Sequence, residues 1–271
     1  MNDSTNPSPA ASASSSPAAD SPGATGASDA STADARVALV TGANKGIGFA
    51  IAEGLGHQGL RVIVGARDDA ARDAAVARLR ERGLDAEGVR LDVTDDQSVA
   101  AAAAEIEQRF GRLDVLVNNA GISGPFDPTT WQQDPTAVDL DQLRGVVDVN
   151  VYGVIRVTNA VLPLLRRAPH PRIVNASSSM GSLERRPGPI MALYSPTKTF
   201  LNSLTVQYAR EFENTPIIVN AACPGLVATD FNGFAGDRTP EQGAATAVRL
   251  ATLPDDGPRG GFFEDAGVVP W

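Results

Sequence analysis

Val37-Ala38-Leu39-Val40-Thr41-Gly42-Ala43-Asn44-Lys45-Gly46-Ile47-Gly48 runs from a short apolar stretch straight into a glycine-rich turn. Four apolar residues ended by Thr41-Gly42 read as a buried strand. A helical pattern begins near Lys45 and stops at Gly56 and Gly59. The glycines allow a tight turn and let the backbone come close to a ligand. The helix that follows offers free N–H groups and a partial positive charge at its start. Gly42, Asn44, Lys45, Gly46, Ile47 and Gly48 are therefore candidates to hold a dinucleotide pyrophosphate. A glycine-rich turn alone is weak evidence, but one placed after the first strand and before the first helix carries more.

The alternation continues to the C-terminus. Arg61-Val62-Ile63-Val64, Val89-Arg90-Leu91, Val115-Leu116-Val117-Asn118, Arg172-Ile173-Val174-Asn175, Ile217-Ile218-Val219-Asn220 and Gly261-Phe262-Phe263 read as further strands. Helical patterns cover about 69–82, 96–110, 139–165 and 194–213. A last helix opens at Thr239-Pro240-Glu241, with Thr239 as N-cap and Pro240 at the first helical position. Seven strands alternating with six helices predict a doubly wound, seven-stranded parallel sheet with helices on both faces. Ligands on such sheets bind beyond the carboxyl ends of the strands, where strand order reverses.

The end of the second strand separates two cofactor classes. An acidic residue there binds ribose hydroxyls and repels a 2′-phosphate. Here Val64-Gly65-Ala66 is followed by Arg67, which can pair with a 2′-phosphate and lie against adenine. Lys45 can reach the same phosphate. The two basic groups favour NADP(H), with Asp68 close by as a counter-indication.

Tyr194-Ser195-Pro196-Thr197-Lys198 places a tyrosine and a lysine four residues apart, on one helix face. A free tyrosine has a pKa of about 10. A nearby ammonium favours the phenolate, so Lys198 is expected to pull the Tyr194 pKa down and make it an acid–base group near neutral pH. Asn175-Ala176-Ser177-Ser178 ends the fifth strand, where a serine hydroxyl can align a substrate oxygen. Asn118-Asn119-Ala120-Gly121 ends the fourth strand, and Asn150 lies in the next helix, placed to hold a water that links Lys198 to solvent. Each feature alone has a bland reading as a chance pair, a turn or a backbone-satisfying amide. Their joint occurrence in this order does not.

Composition bounds the rest. The 271 residues suffice for one large domain. Residues 1–34 hold no Leu, Ile, Val or aromatic residue and read as a disordered Ala/Ser/Pro-rich tail ahead of a folded domain at 35–271. The formal net charge is −9, of which Asp3, Asp20, Asp29 and Asp34 in the tail supply four negative charges. No basic run points to nucleic acid or an anionic membrane, and no apolar stretch reads as a membrane span. The single cysteine, Cys223, reads as a small buried residue, and His57 and His170 lie in no metal-ligand spacing, so no metal is expected. With no secretory signal pattern at the N-terminus, a cytoplasmic location is expected.

The ordered set resembles the short-chain dehydrogenase/reductase family in its single-domain branch, from about Arg36 onward. The resemblance rests on Thr41-Gly42-x-x-x-Gly46-x-Gly48, Asp92-Val93, Asn118-Asn119-Ala120-Gly121, Asn150, Ser178, Tyr194-x-x-x-Lys198 and Pro224-Gly225-x-x-x-Thr229. It implies a Rossmann fold and an Asn150, Ser178, Tyr194, Lys198 tetrad. It further implies that Asp92 meets adenine, that Thr229 contacts the nicotinamide carboxamide, and that Val93, Asn119, Ala120, Gly121, Pro224, Gly225 and Val227 line the cofactor. Within the family, Asn44-Lys45-Gly46, Ala66-Arg67-Asp68 and the C-terminal segment look most like NADPH-dependent carbonyl reductases. The expected reaction is reduction of an apolar ketone or aldehyde. An alcohol or hydroxysteroid dehydrogenase running the other way is the alternative, and a non-catalytic NADP-binding sensor a more distant one. The family often pairs as dimers or tetramers, and its carbonyl-reductase members include monomers.

Two departures from the family pattern stand out. The Ser178-to-Tyr194 interval is longer than is common, which makes Ser182 a rival serine. The stretch between Gly121 and Asn150, with Trp131, is also long, and reads equally as pocket border or surface loop. Phe231, Phe234, Met180 and Met191 are candidate apolar walls for a substrate.

Overall fold

The computed structural model describes residues 35–127, 129–185 and 187–271, so the tail at 1–34 lies outside the described residues. The chain runs β1 (Val37–Thr41), α1 (Gly46–His57), β2 (Arg61–Ala66), α2 (Asp69–Glu81), β3 (Ala86–Arg90), α3 (Asp96–Phe110), β4 (Val115–Asn118), α4 (Leu140–Val147), α5 (Gly153–Leu165), β5 (Arg172–Ala176), α6 (Ser195–Glu211), β6 (Ile218–Ala222), α7 (Pro240–Ala251), β7 (Phe262–Glu264) and β8 (Gly267–Val268). The strand order is β3-β2-β1-β4-β5-β6-β7-β8. The first seven strands are parallel, as the alternation implied. The eighth corrects the expected count of seven: β8 pairs antiparallel with β7 through a tight reversal at Asp265-Ala266, and at two residues it is too short to carry a hydrophobic signature.

The sequence pattern accounts for these elements. β1 is buried at every position, as a strand covered on both faces must be. Its side chains alternate: Val37 and Leu39 pack with α3, α5 and α6, whereas Ala38 and Val40 pack with α1, α2 and α7. Those two cores are the two helical layers of a doubly wound fold. Helix starts are fixed by short polar caps. Asp68, Asp95 and Asp139 accept backbone N–H groups at the starts of α2, α3 and α4, and Thr239 caps α7 with Pro240 beside it. Strand order reverses between β1 and β4, which opens a crevice at their carboxyl ends.

The long helix expected over 139–165 is interrupted. One turn at Asp148–Tyr152 is wound as a π-helix between α4 and α5, a distortion that is common at functional sites. The stretch Leu140–Leu165 has a mean hydropathy of 1.2 over its most apolar window, so length and composition alone would let it cross a membrane, contrary to the expectation from sequence. Its apolar side is explained by packing, since Val154, Val157, Val161 and Leu164 are buried on the sheet side.

Candidate active site

A cleft of about 1220 Å³ opens over the carboxyl ends of the strands. At its floor the β1–α1 turn is held by backbone geometry. Gly42 and Gly46 have φ of 64° and 55°, the left-handed region that glycine tolerates. Gly48 is needed for a different reason: a Cβ there would lie 2.4 Å from both Asn119 Nδ2 and the Gly42 carbonyl oxygen. Asn119 ties the ends of β1 and β4 together, donating from Nδ2 to the Thr41 carbonyl at 2.9 Å while Thr41 Oγ1 accepts the Asn119 and Ala120 N–H groups. The first turn of α1 carries no side-chain cap and no acidic residue. Its N–H groups and partial charge are left for an anion.

Asp68, the acidic counter-indication, stands exposed on the cleft wall at the end of β2. Asp68 accepts the Ala71 N–H at 2.7 Å as N-cap of α2, so its carboxylate is engaged in folding. Arg67 is exposed on the cleft wall with no ion pair among the described residues. Lys45 differs from expectation: its ammonium bonds Asp230 across the cleft mouth, so a phosphate has to compete for it. Asp92 accepts from Thr94 Oγ1 and N, which with Arg67 nearby hold its carboxyl below the usual range. Asp92 and Val93 line the same wall.

The reacting groups converge at the ends of β5 and α6. Ser178, Tyr194 and Lys198 all line the cleft. Lys198 Nζ lies 5.6 Å from the Tyr194 ring centre and donates to the Ala176 carbonyl at 2.7 Å. Burial brings the Lys198 pKa from its ordinary value of 10.5 down to about 8. The Tyr194 phenol moves in the direction opposite to that expected. Burial pushes its pKa up, with a hydrogen bond to Ser178 acting against the rise. The reason is placement: desolvation by the groups packed around the ring outweighs the other influences, and the ammonium is turned to Ala176. Ser178 and Ser182 separate cleanly. Ser178 lines the cleft beside Tyr194 and its hydroxyl accepts the Met180 N–H at 3.2 Å, whereas the buried Ser182 is not in the cleft lining and its hydroxyl donates to the Trp271 carbonyl and accepts the Arg185 N–H.

Asn150 does not line the cleft. Wholly buried at the centre of the π turn, it accepts the Ile122 N–H at 2.9 Å and donates to the Ile122 carbonyl and to Thr197 Oγ1. Both carboxamide hydrogens and one acceptor position of the oxygen thus fix the β4 loop against α6. Gly121 comes close to both groups: a Cβ there would lie 3.3 Å from Asn150 Oδ1 and 3.6 Å from Lys198 Nζ. Ala120, Pro224, Gly225, Val227 and Thr229 all line the cleft. Cys223 is buried, its sulfur accepting the Ser179 N–H.

Beyond Tyr194 the walls turn apolar. Met180, Met191 and Phe231 are there as expected, with Phe231 set edge-on to Tyr194 at 5.6 Å. Phe234 is not; it is 69% exposed and points away at a positive φ of 64°. The stretch around Trp131 borders the pocket: Trp131 stacks on Phe126 at 5.1 Å, and both line the cleft. Sequence reasoning did not single out Phe126, Thr197 or Gln133. Thr197 and Gln133 act through contacts across the fold, and Phe126 through a stack inside an irregular loop, so no helix or strand spacing announces them.

Over residues 36–239 the chain matches the short chain dehydrogenase family. It is 35% identical to carbonyl reductase [NADPH] 1 of Sus scrofa, over 89% of this chain and 96% of that one. It is 34% identical to short-chain dehydrogenase/reductase 1 of Saponaria officinalis, over 88% and 97%. Among solved structures, a variant of the actinorhodin polyketide ketoreductase with NADPH superposes with a TM-score of 0.77 at 31% identity, covering 87% of this chain and 97% of that one. The protein belongs to the short-chain dehydrogenase/reductase family. It is an oxidoreductase with a Rossmann fold, similar to carbonyl reductases of that family.

Proposed function

We propose that the protein is an NADPH-dependent reductase of apolar ketones or aldehydes, with Tyr194 as the acid that protonates the substrate oxygen. One juxtaposition carries the reading: Ser178, Tyr194 and Lys198 share a single cleft with an exposed Arg67. The cleft fits a dinucleotide on its own terms. It has a bare helix start at α1, glycine positions that bring backbone to its floor, and an exposed guanidinium at the end of β2. Gly42 to Gly48 and Asn119 to Gly121 would hold the pyrophosphate and a ribose. Asp92 and Val93 would meet the adenine, Arg67 the 2′-phosphate, and Pro224 to Thr229 the nicotinamide end. NADPH bound there supplies the hydride.

The chain's own residues do the remaining work. The Ser178 hydroxyl and the Tyr194 phenol hold the carbonyl oxygen and orient the carbon. The phenol is protonated at neutral pH, as an acid must be, while burial that raises its pKa makes it a weaker donor, so the charge on the substrate oxygen has to draw the proton out. As negative charge builds on the substrate oxygen, the Tyr194 proton moves to it. The Lys198 ammonium then stabilises the phenolate left behind. Asn150 and Thr197 act as supports that keep the β4 loop and α6 in register. Phe126, Trp131, Met180, Met191 and Phe231 favour an apolar substrate body. Residues 35–271 form the catalytic unit, and a lone buried cysteine suits a reducing, cytoplasmic setting.

The test is NADPH oxidation with a panel of apolar ketones and aldehydes, for the wild type and Tyr194→Phe. Removing the acid is expected to lower kcat by about 10²–10⁴-fold while NADPH affinity is retained. Equal turnover in the two proteins would overturn the assignment.

A further inference from the structure

Gln133 lies on the long segment between β4 and α4 and is 6% exposed. Its carboxamide oxygen accepts two backbone N–H groups, from Leu193 at 2.8 Å and from Tyr194 at 3.2 Å. Its nitrogen donates both hydrogens, to the Ser123 carbonyl at 2.8 Å and the Pro125 carbonyl at 3.0 Å. All four positions of the carboxamide are thereby used. Its backbone N–H also donates to the Ile190 carbonyl at 2.8 Å. One residue therefore bridges the loop that follows β4 to the segment that delivers Tyr194.

The start of α6 needs such a partner. Tyr194 is its N-cap residue and contributes no side-chain cap, and Pro196 in the first turn has no N–H to place. Apart from Gln133, the Tyr194 N–H has only a bond to the Met191 carbonyl at 3.1 Å, within a local turn that could shift as a unit. Gln133 is fixed from the opposite side. Two residues before it, Trp131 stacks on Phe126 in the apolar wall of the cleft.

We propose that Gln133 is a positioning residue for Tyr194, locking the acid to the loop that forms the substrate wall. The inference rests on the reading of Tyr194 as the acid. An error of about 1 Å in the placement of a reacting group can cost about a hundredfold in rate. The Gln133 clamp holds that error down, and it does so from a segment that makes no chemical contribution.

Gln133→Met keeps the bulk and removes all four bonds. Its kcat is expected to fall about tenfold or more, with NADPH affinity unchanged within about threefold and the sheet amides as protected as before. Backbone hydrogen exchange at Leu193 and Tyr194 is expected to speed up in the same variant. Unchanged kcat and unchanged exchange at those two amides overturn the proposal. So does a loss of NADPH binding and sheet protection in step with kcat, which marks a general structural role. Should Gln133→Met not fold, Gln133→Glu decides. It keeps the acceptor for Leu193 and Tyr194, but once ionised sets a carboxylate oxygen against the Ser123 and Pro125 carbonyls. Its kcat is expected to drop relative to wild type as the pH rises through the glutamate pKa, and a constant ratio refutes the clamp. Tyr194→Phe is measured alongside. If it stays active, the reading of the acid fails, and the exchange data still decide whether Gln133 holds Tyr194. If it is inactive while Gln133→Met is normal, the clamp alone fails.

Discussion

At the glycine-turn end of the cleft the floor is backbone; at the far end, beyond Tyr194, the walls are apolar side chains. Gly42, Gly46 and Gly48 bring main chain to the floor, Asn119 pins two strand ends together, and no large side chain intervenes. The other end is walled by Phe126, Trp131, Met180, Met191 and Phe231, carried on loops between strands and helices. A backbone site is specified by what must be absent, and it tolerates almost nothing new. A side-chain site is specified by shape, and loops can vary it while the sheet stays fixed. The glycine-turn end therefore reads from short motifs at the ends of strands, and the apolar end does not.

Substitutions sharpen that contrast. The broadest effect, on folding and on binding together, is expected from Gly48→Ala. Its Cβ would meet the Gly42 carbonyl, which cannot swing aside as a flexible side chain could. Overpacking of this kind costs about 1–3 kcal/mol, and NADPH affinity is expected to fall with it. A thermal melt and a binding titration together check the point, and a normal melt with normal affinity would show that the floor yields.

Next comes Arg67→Ala. A charged hydrogen bond is worth about 1.5–3 kcal/mol, so the preference for NADPH over NADH is expected to shrink by about one to two orders of magnitude. NADH kinetics are expected to change little. An equal loss for both cofactors would move the 2′-phosphate contact to another residue, with Lys45 the next to test.

Lys198 gives a smaller effect with a defined pH signature. Its pKa is lowered on folding from 10.5 to about 8, so the folded state binds fewer protons than the unfolded state between those values. Burying the ammonium destabilises the protein fully below about pH 8, and the penalty disappears as the pH rises to 10.5. Lys198→Met is therefore expected to be inactive yet to melt about 2–4 °C higher at pH 7, with the gap closing by pH 10.5. The lost bond to the Ala176 carbonyl limits the gain. A gap that is constant with pH would assign the difference to packing.

The smallest effect lies outside the apolar wall. Phe234 holds a left-handed backbone while mostly exposed. That conformation costs an L-residue about 1–2 kcal/mol. Phe234→Gly is expected to raise stability by up to about 1 kcal/mol and leave kcat unchanged. Glycine gained here stabilises, whereas glycine lost at position 48 destabilises. A loss of activity in Phe234→Gly would show that the side chain reaches the substrate.

Much of this could be read along the chain. The strand and helix alternation, the glycine turn, Arg67 at the end of β2 and the Tyr194–Lys198 pair depend on periodicity and on spacing within single elements, which sequence carries directly. The pairing of Lys45 with Asp230 depends on residues far apart in the chain, as do the engagement of Asn150 with Ile122 and Thr197 and the separation of Ser178 from Ser182. The direction of the Tyr194 pKa belongs to the same class. The motif places an ammonium one helical turn away, but desolvation is set by everything packed around the ring. Local sequence determined which elements form and which chemical groups they carry, because helix period, strand alternation and turn geometry are short-range. Tertiary structure alone decided which of those groups meet, how far each is buried and how Gln133 bonds the Leu193 and Tyr194 N–H groups, because burial and hydrogen-bond partners come from chain segments that are neighbours only after folding.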